Sequence, residues 1–244
     1  MHLAAGQAQD AEVADWFSRA ADQSTGLLAE EKVDFTRELA VMVGRSPMGQ
    51  TAVWPVVETW QQNGVCKEAI APAPDLSDEK ARAITEAILT VAGTLEVTGV
   101  MAMEMFETPE GFLINEFAMR PHNTGHWTQD GSVTSQFEQH LRAVLDYPLG
   151  STAPSAPVTV MANILGAADA PAMSMDERLH HLMARMPEAK VHLYGKGERP
   201  DRKIGHVNIV GREGDSPESV RERAERAAQW MSRATWTDGW DEHS

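Results

Sequence analysis

Asn115-Glu-Phe-Ala-Met-Arg-Pro-His-Asn-Thr-Gly-His-Trp127 joins the end of an apolar run to a polar loop. Two apolar runs, Val100-Met-Ala-Met-Glu-Met-Phe106 and Phe112-Leu-Ile-Asn-Glu-Phe117, each predict a buried strand. Each run carries one carboxylate, Glu104 or Glu116. A carboxylate inside an apolar strand is costly unless it is paired or binds a metal. These two acids are therefore the first candidates for a functional role.

The turn between the two runs, Thr108-Pro-Glu-Gly111, predicts a hairpin in which the carboxylates of Glu104 and Glu116 converge. Two carboxylates and the amide oxygen of Asn115 are hard ligands, suited to Mg²⁺ held jointly with nucleotide phosphates. In the alternative interpretation, each acid lies at a strand end or pairs with a nearby arginine. The residues alone leave both interpretations open.

The loop after Glu116 carries side chains that suit an oxyanion. The planar guanidinium of Arg120 could clamp it, and His122 and Asn123 could donate hydrogen bonds. Gly125 allows close approach of the backbone. The alternative is a polar turn that Trp127 anchors to the core, and both interpretations stay open here.

Composition narrows the class of protein. The chain has 244 residues, a net charge of −15 and a single cysteine, Cys66, which excludes an internal disulfide. Acidic proteins are poor nonspecific binders of nucleic acid, because phosphate contact needs a positive face. No apolar run is long enough for a membrane helix, and Met1–Asp10 does not resemble a signal peptide. We therefore expect a cytoplasmic protein without nucleic-acid or membrane partners. Cys66 is expected to be inert.

One segment departs from the acidic background. Lys196-Gly-Glu-Arg-Pro-Asp-Arg-Lys203 packs four cations into eight residues. Arginine and lysine are the usual donors to phosphate, so this segment is a candidate site for a phosphate monoester. The usual explanation of a charge run is a solvated surface, and that alternative also remains.

The remaining pattern mixes strands and helices. Helical spacing and capping residues predict helices at 10–21, 75–92 (capped by Asp75 or Ser77), 135–145, from Ser174-Met-Asp-Glu177 onward, and from Ser216 with Pro217 in its first turn. Short apolar runs predict strands at 39–43, 53–57, 97–106, 111–117, 158–164 and near Val191 and Val207. The stretch 148–157 is rich in Pro, Ser, Ala and Gly and predicts a domain boundary. The expected class is α+β, with domains at 1–150 and 151–244.

In order along the chain, these segments resemble the 5-(carboxyamino)imidazole ribonucleotide synthases of the ATP-grasp superfamily, from about Leu27 to Val210. The matching strings are Glu30-Glu-Lys-Val-Asp-Phe-Thr-Arg-Glu-Leu39, Trp54-Pro-Val-Val-Glu58, the run Asn115–Trp127, Thr134-Ser-Gln-Phe-Glu-Gln-His-Leu-Arg-Ala-Val-Leu145, Tyr194-Gly-Lys196 and Arg202-Lys-Ile-Gly-His206. The string R-P-H-N-[ST]-G-H-W is highly specific to this family.

The resemblance implies a role for each matching residue. It implies that Mg²⁺ binds to Glu104 and Glu116. Residues implied at the nucleotide are Glu30, Glu31, Lys32 and Val33 (a hinge strand that holds adenine), Glu38 (at the ribose), Gln61 (where many relatives have histidine), Asn115 and Glu116. Residues implied at bicarbonate and its phosphorylated form are Arg120, His122 and Asn123. Residues implied at the substrate 5′-phosphate are Lys196, Arg202 and Lys203.

The resemblance also implies an activity. It is the ATP-dependent carboxylation of 5-aminoimidazole ribonucleotide with bicarbonate, by way of carboxyphosphate, in purine biosynthesis. Implied with it are an ATP-grasp domain that lacks its N-terminal part, a small C-terminal α+β domain and a homodimer. Asp201 stands where glycine is usual. The alternatives are a non-catalytic nucleotide-binding remnant and a formate-using sister enzyme.

Overall fold

The computed structural model describes residues 10–62 and 65–239, which form six α-helices, one short 3-10 helix and nine strands. The helices are α1 (Asp10–Asp22), α2 (Asp78–Thr94), α3 (Thr128–Gly131), α4 (Gln136–Val144), α5 (Met175–Arg185) and α6 (Pro217–Arg233), with the 3-10 helix at Asn123–Gly125. The strands are β1 (Arg37–Arg45), β2 (Thr51–Val53), β3 (Val57–Gln62), β4 (Val65–Ala71), β5 (Gly99–Thr108), β6 (Gly111–Ala118), β7 (Thr159–Leu165), β8 (Lys190–Leu193) and β9 (Lys203–Val210). This composition confirms the α+β class.

All nine strands belong to one antiparallel sheet. Its order is β6-β5-β1-β3-β4-β7-β9-β8, and β2 pairs with β1 beside this path. The pairing of β4 with β7 carries the sheet across the stretch 148–157. The division into two domains near residue 150 stays a prediction, with a continuous sheet on both sides of it.

Helices cover one face of the sheet, which we call the helix face. The cross-strand row Leu39, Glu58, Ile70, Val160 and Ile209 lies on it. Around β1 and β5 it packs against the buried positions of α2, and around β7 and β9 it packs against α5 and α6. Two apolar clusters therefore hold this face, one under each group of helices.

The opposite face, which we call the loop face, has a smaller apolar cluster. Ala40, Met42 and Met161 lie in it beneath two buried tryptophans, Trp54 and Trp127. Residues 119–135, including the 3-10 helix and α3, run over this face before α4 packs on β5 and β1. The loop after β6 is therefore held against the sheet rather than free in solvent.

The starts of four helices agree with the capping residues predicted from the sequence. Ser77, Ser135, Ser174 and Ser216 each accept a backbone N–H three residues on, so all four are N-caps. At Ser174 both halves of the predicted capping box are present. Among the residues described, no helix combines the length and apolar character that crossing a membrane requires.

Two strand predictions need correction. The run 53–57 is interrupted, because β2 ends at Val53 and β3 begins at Val57; Pro55 between them has no N–H to offer a neighbouring strand. The hinge strand expected at Glu30–Val33 is not formed, since residues 25–35 carry no strand or helix. A strand needs the backbone of a neighbour for its hydrogen bonds, and none of the described strands pairs with this segment.

Candidate functional site

Three irregularities in the sheet decide which polar side chains reach the loop face. The register shifts once in each of the pairs β5–β6, β3–β4 and β7–β9, and the extra residues are Asn115, Lys67 and Ile204. Side chains alternate between faces, so one extra residue moves its neighbour to the other face. The shifts turn three side chains toward the loop face, namely Glu116, Cys66 and Lys203.

Glu116 meets Glu104 directly across the β5–β6 pair. Glu104, Glu116 and His122 each bring one ligand atom within 4.8 Å of the other two. His122 Nδ1 lies 3.5 Å from Glu104 Oε1 and 3.0 Å from Thr124 Oγ1. The carboxylates of the hairpin therefore converge as the sequence predicted, and the imidazole of His122, which was not predicted as a third member, joins them from the loop.

The environment of this cluster favours a cation. Burial, followed by the negative charges of Glu116 and Glu38, raises the pKa of Glu104 to about 7. Burial, followed by the positive charges of Arg120 and Lys203, lowers the pKa of His122 to about 4. The imidazole is therefore neutral at pH 7, and Glu104 is partly protonated at that pH, because the charges of Lys203 and Arg120 only partly offset the burial and the repulsion.

The donor set fits Mg²⁺ at the two carboxylates. Magnesium prefers carboxylate oxygens and accepts only one or two of them beside phosphates and water. Glu104 and Glu116 supply such oxygens, while the nitrogen of His122 is a softer ligand that suits other metals better. His122 is therefore better explained as a hydrogen-bonding neighbour of the cation than as its ligand.

A buried glutamine holds the loop in place. Gln136, at the first turn of α4, accepts from His122 N–H at 2.7 Å and donates to His122 C=O at 2.8 Å. Its amide also reaches His126 Nδ1 at 3.0 Å. Sequence reasoning missed this residue, because a glutamine at the start of a helix gives no signal that it is buried.

Arg120 is exposed and donates a hydrogen bond to the carbonyl of Pro121. Its charge nevertheless acts on three neighbours, Glu104, His122 and Lys203. A guanidinium held beside the cluster in this way remains available to an anionic ligand.

Lys203 lies apart from the other cations of its segment. Burial lowers the pKa of Lys203 below its ordinary value, although the charge of Glu104 opposes the effect. Lys196 and Arg202 are exposed instead. Lys196 Nζ lies 5.3 Å from the centre of the Tyr194 ring, and Arg202 donates a hydrogen bond to the carbonyl of Gly197. The structure therefore brings Lys203 to the carboxylates and leaves Lys196 and Arg202 at the surface.

Between Lys203 and the carboxylates lies a half-buried row on the central strands. Gln61 on β3 is opposite Cys66 on β4, and Glu38 on β1 lies two positions from Ala40, the partner of Glu104. Burial raises the pKa of Cys66 to about 12, against the opposing effects of Lys203 and Asn123. A thiol protonated at neutral pH is a poor nucleophile, which agrees with the inert role expected for it.

The hinge residues lie outside this grouping. Glu30, Glu31 and Lys32 are exposed in the irregular segment 25–35, and Val33 is half-buried. Of the residues predicted at the nucleotide, four lie instead on sheet strands, namely Glu38, Gln61, Asn115 and Glu116.

Comparisons with known proteins agree with this architecture. The family model of the ATP-grasp domain matches residues 6–137, and that of the phosphoribosylaminoimidazole carboxylase C-terminal domain matches residues 159–223. The first match covers more than half of the chain. The chain therefore belongs to the ATP-grasp family.

Individual relatives are more specific. N5-carboxyaminoimidazole ribonucleotide synthase of Mycobacterium bovis is 58% identical over 96% of this chain and 54% of its own length. The crystal structure of N5-carboxyaminoimidazole ribonucleotide synthetase from Thermus thermophilus superposes with a TM-score of 0.74, at 34% identity, over 94% of this chain and 59% of that one. An Aspergillus clavatus N5-carboxyaminoimidazole synthase in complex with ADP and 5-aminoimidazole ribonucleotide gives a TM-score of 0.69 at 30% identity, over 84% and 54% of the two chains. The chain spans about half the length of the curated relatives it matches.

Proposed function

We propose that this chain carries the ATP-grasp and C-terminal portions of an enzyme that carboxylates 5-aminoimidazole ribonucleotide. The reaction uses ATP and bicarbonate and gives N5-carboxyaminoimidazole ribonucleotide, ADP and phosphate in purine biosynthesis. The observation that carries the proposal is the Glu104–Glu116–His122 cluster on the loop face, with the charges of Arg120 and Lys203 beside it. Family membership supports it, since the N5-carboxyaminoimidazole ribonucleotide synthase of Mycobacterium bovis is 58% identical over 96% of this chain.

The carboxylates of Glu104 and Glu116 would hold Mg²⁺ together with the nucleotide phosphates. When bound, the ion would neutralise charge on the phosphoryl group in transfer. We propose that Asn115 contacts the nucleotide beside them, that Glu38 hydrogen-bonds the ribose, and that Gln61 lies near it. Glu30, Glu31, Lys32 and Val33 would take up the adenine edge, and this requires the segment 25–35 to order around the base.

The loop residues would handle the one-carbon substrate. A bicarbonate oxygen forms a bond to the γ-phosphorus as the bond to ADP breaks, which leaves carboxyphosphate. Arg120 supplies positive charge to this dianion, and neutral His122 and the amide of Asn123 supply hydrogen bonds. Because the pKa of His122 is about 4, it orients the substrate and does not serve as a base at pH 7.

The second step transfers CO₂ to the 5-amino group of the ribonucleotide, with release of phosphate. Lys196 and Arg202 would bind the 5′-phosphate at the surface. Lys203 would bind the substrate with them, and the effect of Glu104 on its pKa supports a place between the 5′-phosphate and the carboxyphosphate. Carboxyphosphate is unstable in water, so the transfer needs a closed site.

We further propose a homodimer in the cytoplasm, on the strength of the family resemblance and the composition. Sedimentation equilibrium of the purified chain tests the oligomeric state. A single species at the monomer mass of 26.7 kDa would remove the dimer from the proposal.

Release of ADP tests the activity. Mg²⁺-ATP and bicarbonate are incubated with the chain, with and without 5-aminoimidazole ribonucleotide, and with formate in place of bicarbonate. Release stimulated by the ribonucleotide, abolished in Glu116→Gln and retained in Glu110→Gln, is expected. Glu110 is a matched control because it is an exposed acid in the turn of the same hairpin.

The other outcomes separate the alternatives. Release that follows formate and ignores bicarbonate would identify the sister reaction. Binding of Mg²⁺-ADP without any substrate-dependent release would identify a nucleotide-binding remnant. Either result overturns the proposed reaction for this chain.

A further inference from the structure

Three histidines form a stack of parallel rings between the loop and the β8–β9 hairpin. The ring centres of His126 and His206 are 4.5 Å apart at 5°, and those of His206 and His192 are 4.7 Å apart at 18°. His206 lies in the middle and is almost fully buried, at 1% exposure. Rings this close and parallel pack favourably as neutral groups, whereas two imidazolium rings would repel each other.

The hydrogen bonds of the two outer rings place a proton on Nε2 of each. The oxygen of Gln136 accepts from His122 N–H, so its NH₂ group donates to His126 Nδ1 and the proton of His126 lies on Nε2. His192 Nε2 faces Asp130 Oδ2 at 2.8 Å, so it carries the proton and Nδ1 accepts from Gln129.

The central ring is tied to the segment of cations. His206 Nδ1 lies 2.7 Å from the hydroxyl of Tyr194. Burial raises the pKa of Tyr194 to about 12, so the hydroxyl keeps its proton and donates it to Nδ1. Tyr194 is the first residue after β8 and lies two positions before Lys196. The hydrogen bond therefore fixes the start of the segment 194–202.

The same contacts join the stack to the loop. Asp130 Oδ2 accepts from His192 and from Asn208, and Asn208 also donates to the carbonyl of His126 at 3.0 Å. Asn208 belongs to β9, whereas His126 and Asp130 belong to the stretch that follows Arg120. Stacked rings and hydrogen bonds thus connect the β8–β9 hairpin to the loop residues 126–130.

We propose that His126, His206 and His192, with Tyr194, are positioning residues that set the distance between the cationic segment 194–203 and the loop 120–123. They would touch neither nucleotide nor metal. Their loss would weaken binding of the phosphorylated acceptor and leave the binding of nucleotide unchanged. The inference rests on the proposed function, because it assigns the two sides of the stack to two substrates of that reaction.

The test uses Tyr194→Phe, which removes the hydroxyl and keeps the ring. Calorimetric titrations measure the binding of Mg²⁺-ADP and, separately, of 5-aminoimidazole ribonucleotide. We expect about tenfold weaker binding of the ribonucleotide, less than a twofold change for Mg²⁺-ADP, and a nearly unchanged melting temperature. Tyr147→Phe is the matched control, since Tyr147 is the other tyrosine of the chain and is exposed.

A second variant, His206→Phe, keeps an aromatic ring in the stack and removes Nδ1. If the two residues act through one hydrogen bond, the double variant binds the ribonucleotide as weakly as each single variant. Nitrogen-15 spectra of the histidine rings at pH 7 give a signature independent of binding. The wild-type spectrum should show His126 and His192 protonated on Nε2, and Tyr194→Phe should shift the Nδ1 resonance of His206.

Each remaining result decides against the inference. Equal binding of the ribonucleotide by Tyr194→Phe and the wild type would show that the stack positions nothing at this site. Parallel loss of ribonucleotide and Mg²⁺-ADP binding would show general loosening of the fold. A wild-type chain that binds neither ligand would overturn the proposed function, and this inference with it.

Discussion

Glu104 and Glu116 are direct cross-strand neighbours on β5 and β6, and both side chains face the loop. Like charges in this arrangement destabilise a sheet unless a cation lies between them. Burial and the charges of Glu116 and Glu38 raise the pKa of Glu104 to about 7 as a result. The site therefore stores a repulsion that a bound cation would relieve.

The first prediction concerns stability without divalent cations. The pKa of Glu104 is raised from 4.5 to about 7 in the folded protein, so the folded state binds more protons than the unfolded state between these pH values. Stability should fall as pH rises through this window. At pH 8 in EDTA, the free energy of unfolding of Glu104→Gln should therefore exceed that of the wild type by roughly 1–3 kcal/mol. Chemical denaturation measures it, and the midpoint of the variant should lie at a higher denaturant concentration. At pH 5 most of this difference should be gone.

Glu110→Gln is the control for this measurement. It removes an exposed acid from the same hairpin, and a surface change of this kind shifts stability by less than about 0.5 kcal/mol. A gain in stability from Glu110→Gln equal to that from Glu104→Gln would assign the effect to net charge, which is −15, and not to the pair.

The second prediction concerns added Mg²⁺. Protons and the cation compete for Glu104, so Mg²⁺ should raise the melting temperature more at pH 8 than at pH 5. The rise should vanish in Glu104→Gln and in Glu116→Gln. Differential scanning fluorimetry over a Mg²⁺ series gives the comparison. An undiminished rise in Glu116→Gln would locate the cation elsewhere.

The β5–β6 hairpin shows how much of the site could be predicted from the sequence. Without a bulge, the register set by the turn at 108–111 would pair Glu104 with Asn115 and turn Glu116 to the helix face, so the turn alone does not bring the two predicted carboxylates together. The structure instead pairs Glu104 with Glu116, because Asn115 is an extra residue in β6. The apolar runs predicted both strands correctly, but β6 is largely exposed and not buried as expected, since it lies at the edge of the sheet. No local pattern predicts the bulge.

Helix α4 shows a second limit. Its capping serine was predicted correctly, since a cap is a contact between near neighbours. The buried side of α4 could not be predicted in the same way. The helix buries Gln136 and Gln139 and exposes Leu141, the reverse of what polarity suggests. The glutamines are buried to satisfy backbone groups of distant loops, including the N–H and C=O of Gly150. Periodicity carries no information about such partners.

The third prediction concerns the two hydrogen bonds by which Gln136 holds the backbone of His122. Gln136→Leu leaves the N–H and C=O of buried His122 without their partners, at a cost of roughly 2–4 kcal/mol. Chemical denaturation should show the loss. Glu138→Gln changes an exposed residue two positions further along α4 and should cost less than about 0.5 kcal/mol. A similar small loss in both variants would mean that water replaces the amide without penalty.

The fourth prediction concerns Asp201, which adopts a φ of +57°. This left-handed conformation is strained for a residue with a side chain and free of strain for glycine. Asp201→Gly should stabilise the chain by up to about 1 kcal/mol, and it also removes an acid beside Arg202 and Lys203. Asp201→Asn removes the charge and keeps the side chain. Stronger phosphate binding in both variants, with added stability in the glycine variant alone, would separate the two effects.

The last prediction concerns a buried arginine that holds the C-terminal half together. Arg178 on α5 is 1% exposed, donates through Nη1 to the carbonyls of Met231 and Ser232 at the end of α6, and pairs through Nη2 with Glu198. One side chain thus joins two helices to the segment of cations. Arg178→Met fills the space but leaves both carbonyls and the carboxylate of Glu198 without their partner. The free energy of unfolding in guanidinium should therefore fall by roughly 3–5 kcal/mol. Arg142→Met removes an exposed pair with Glu138 and should cost less than about 1 kcal/mol. Near-equal losses in the two variants would mean that Arg178 contributes no more than a surface ion pair, and the anchoring of the segment would then have to come from its backbone contacts with Gly166.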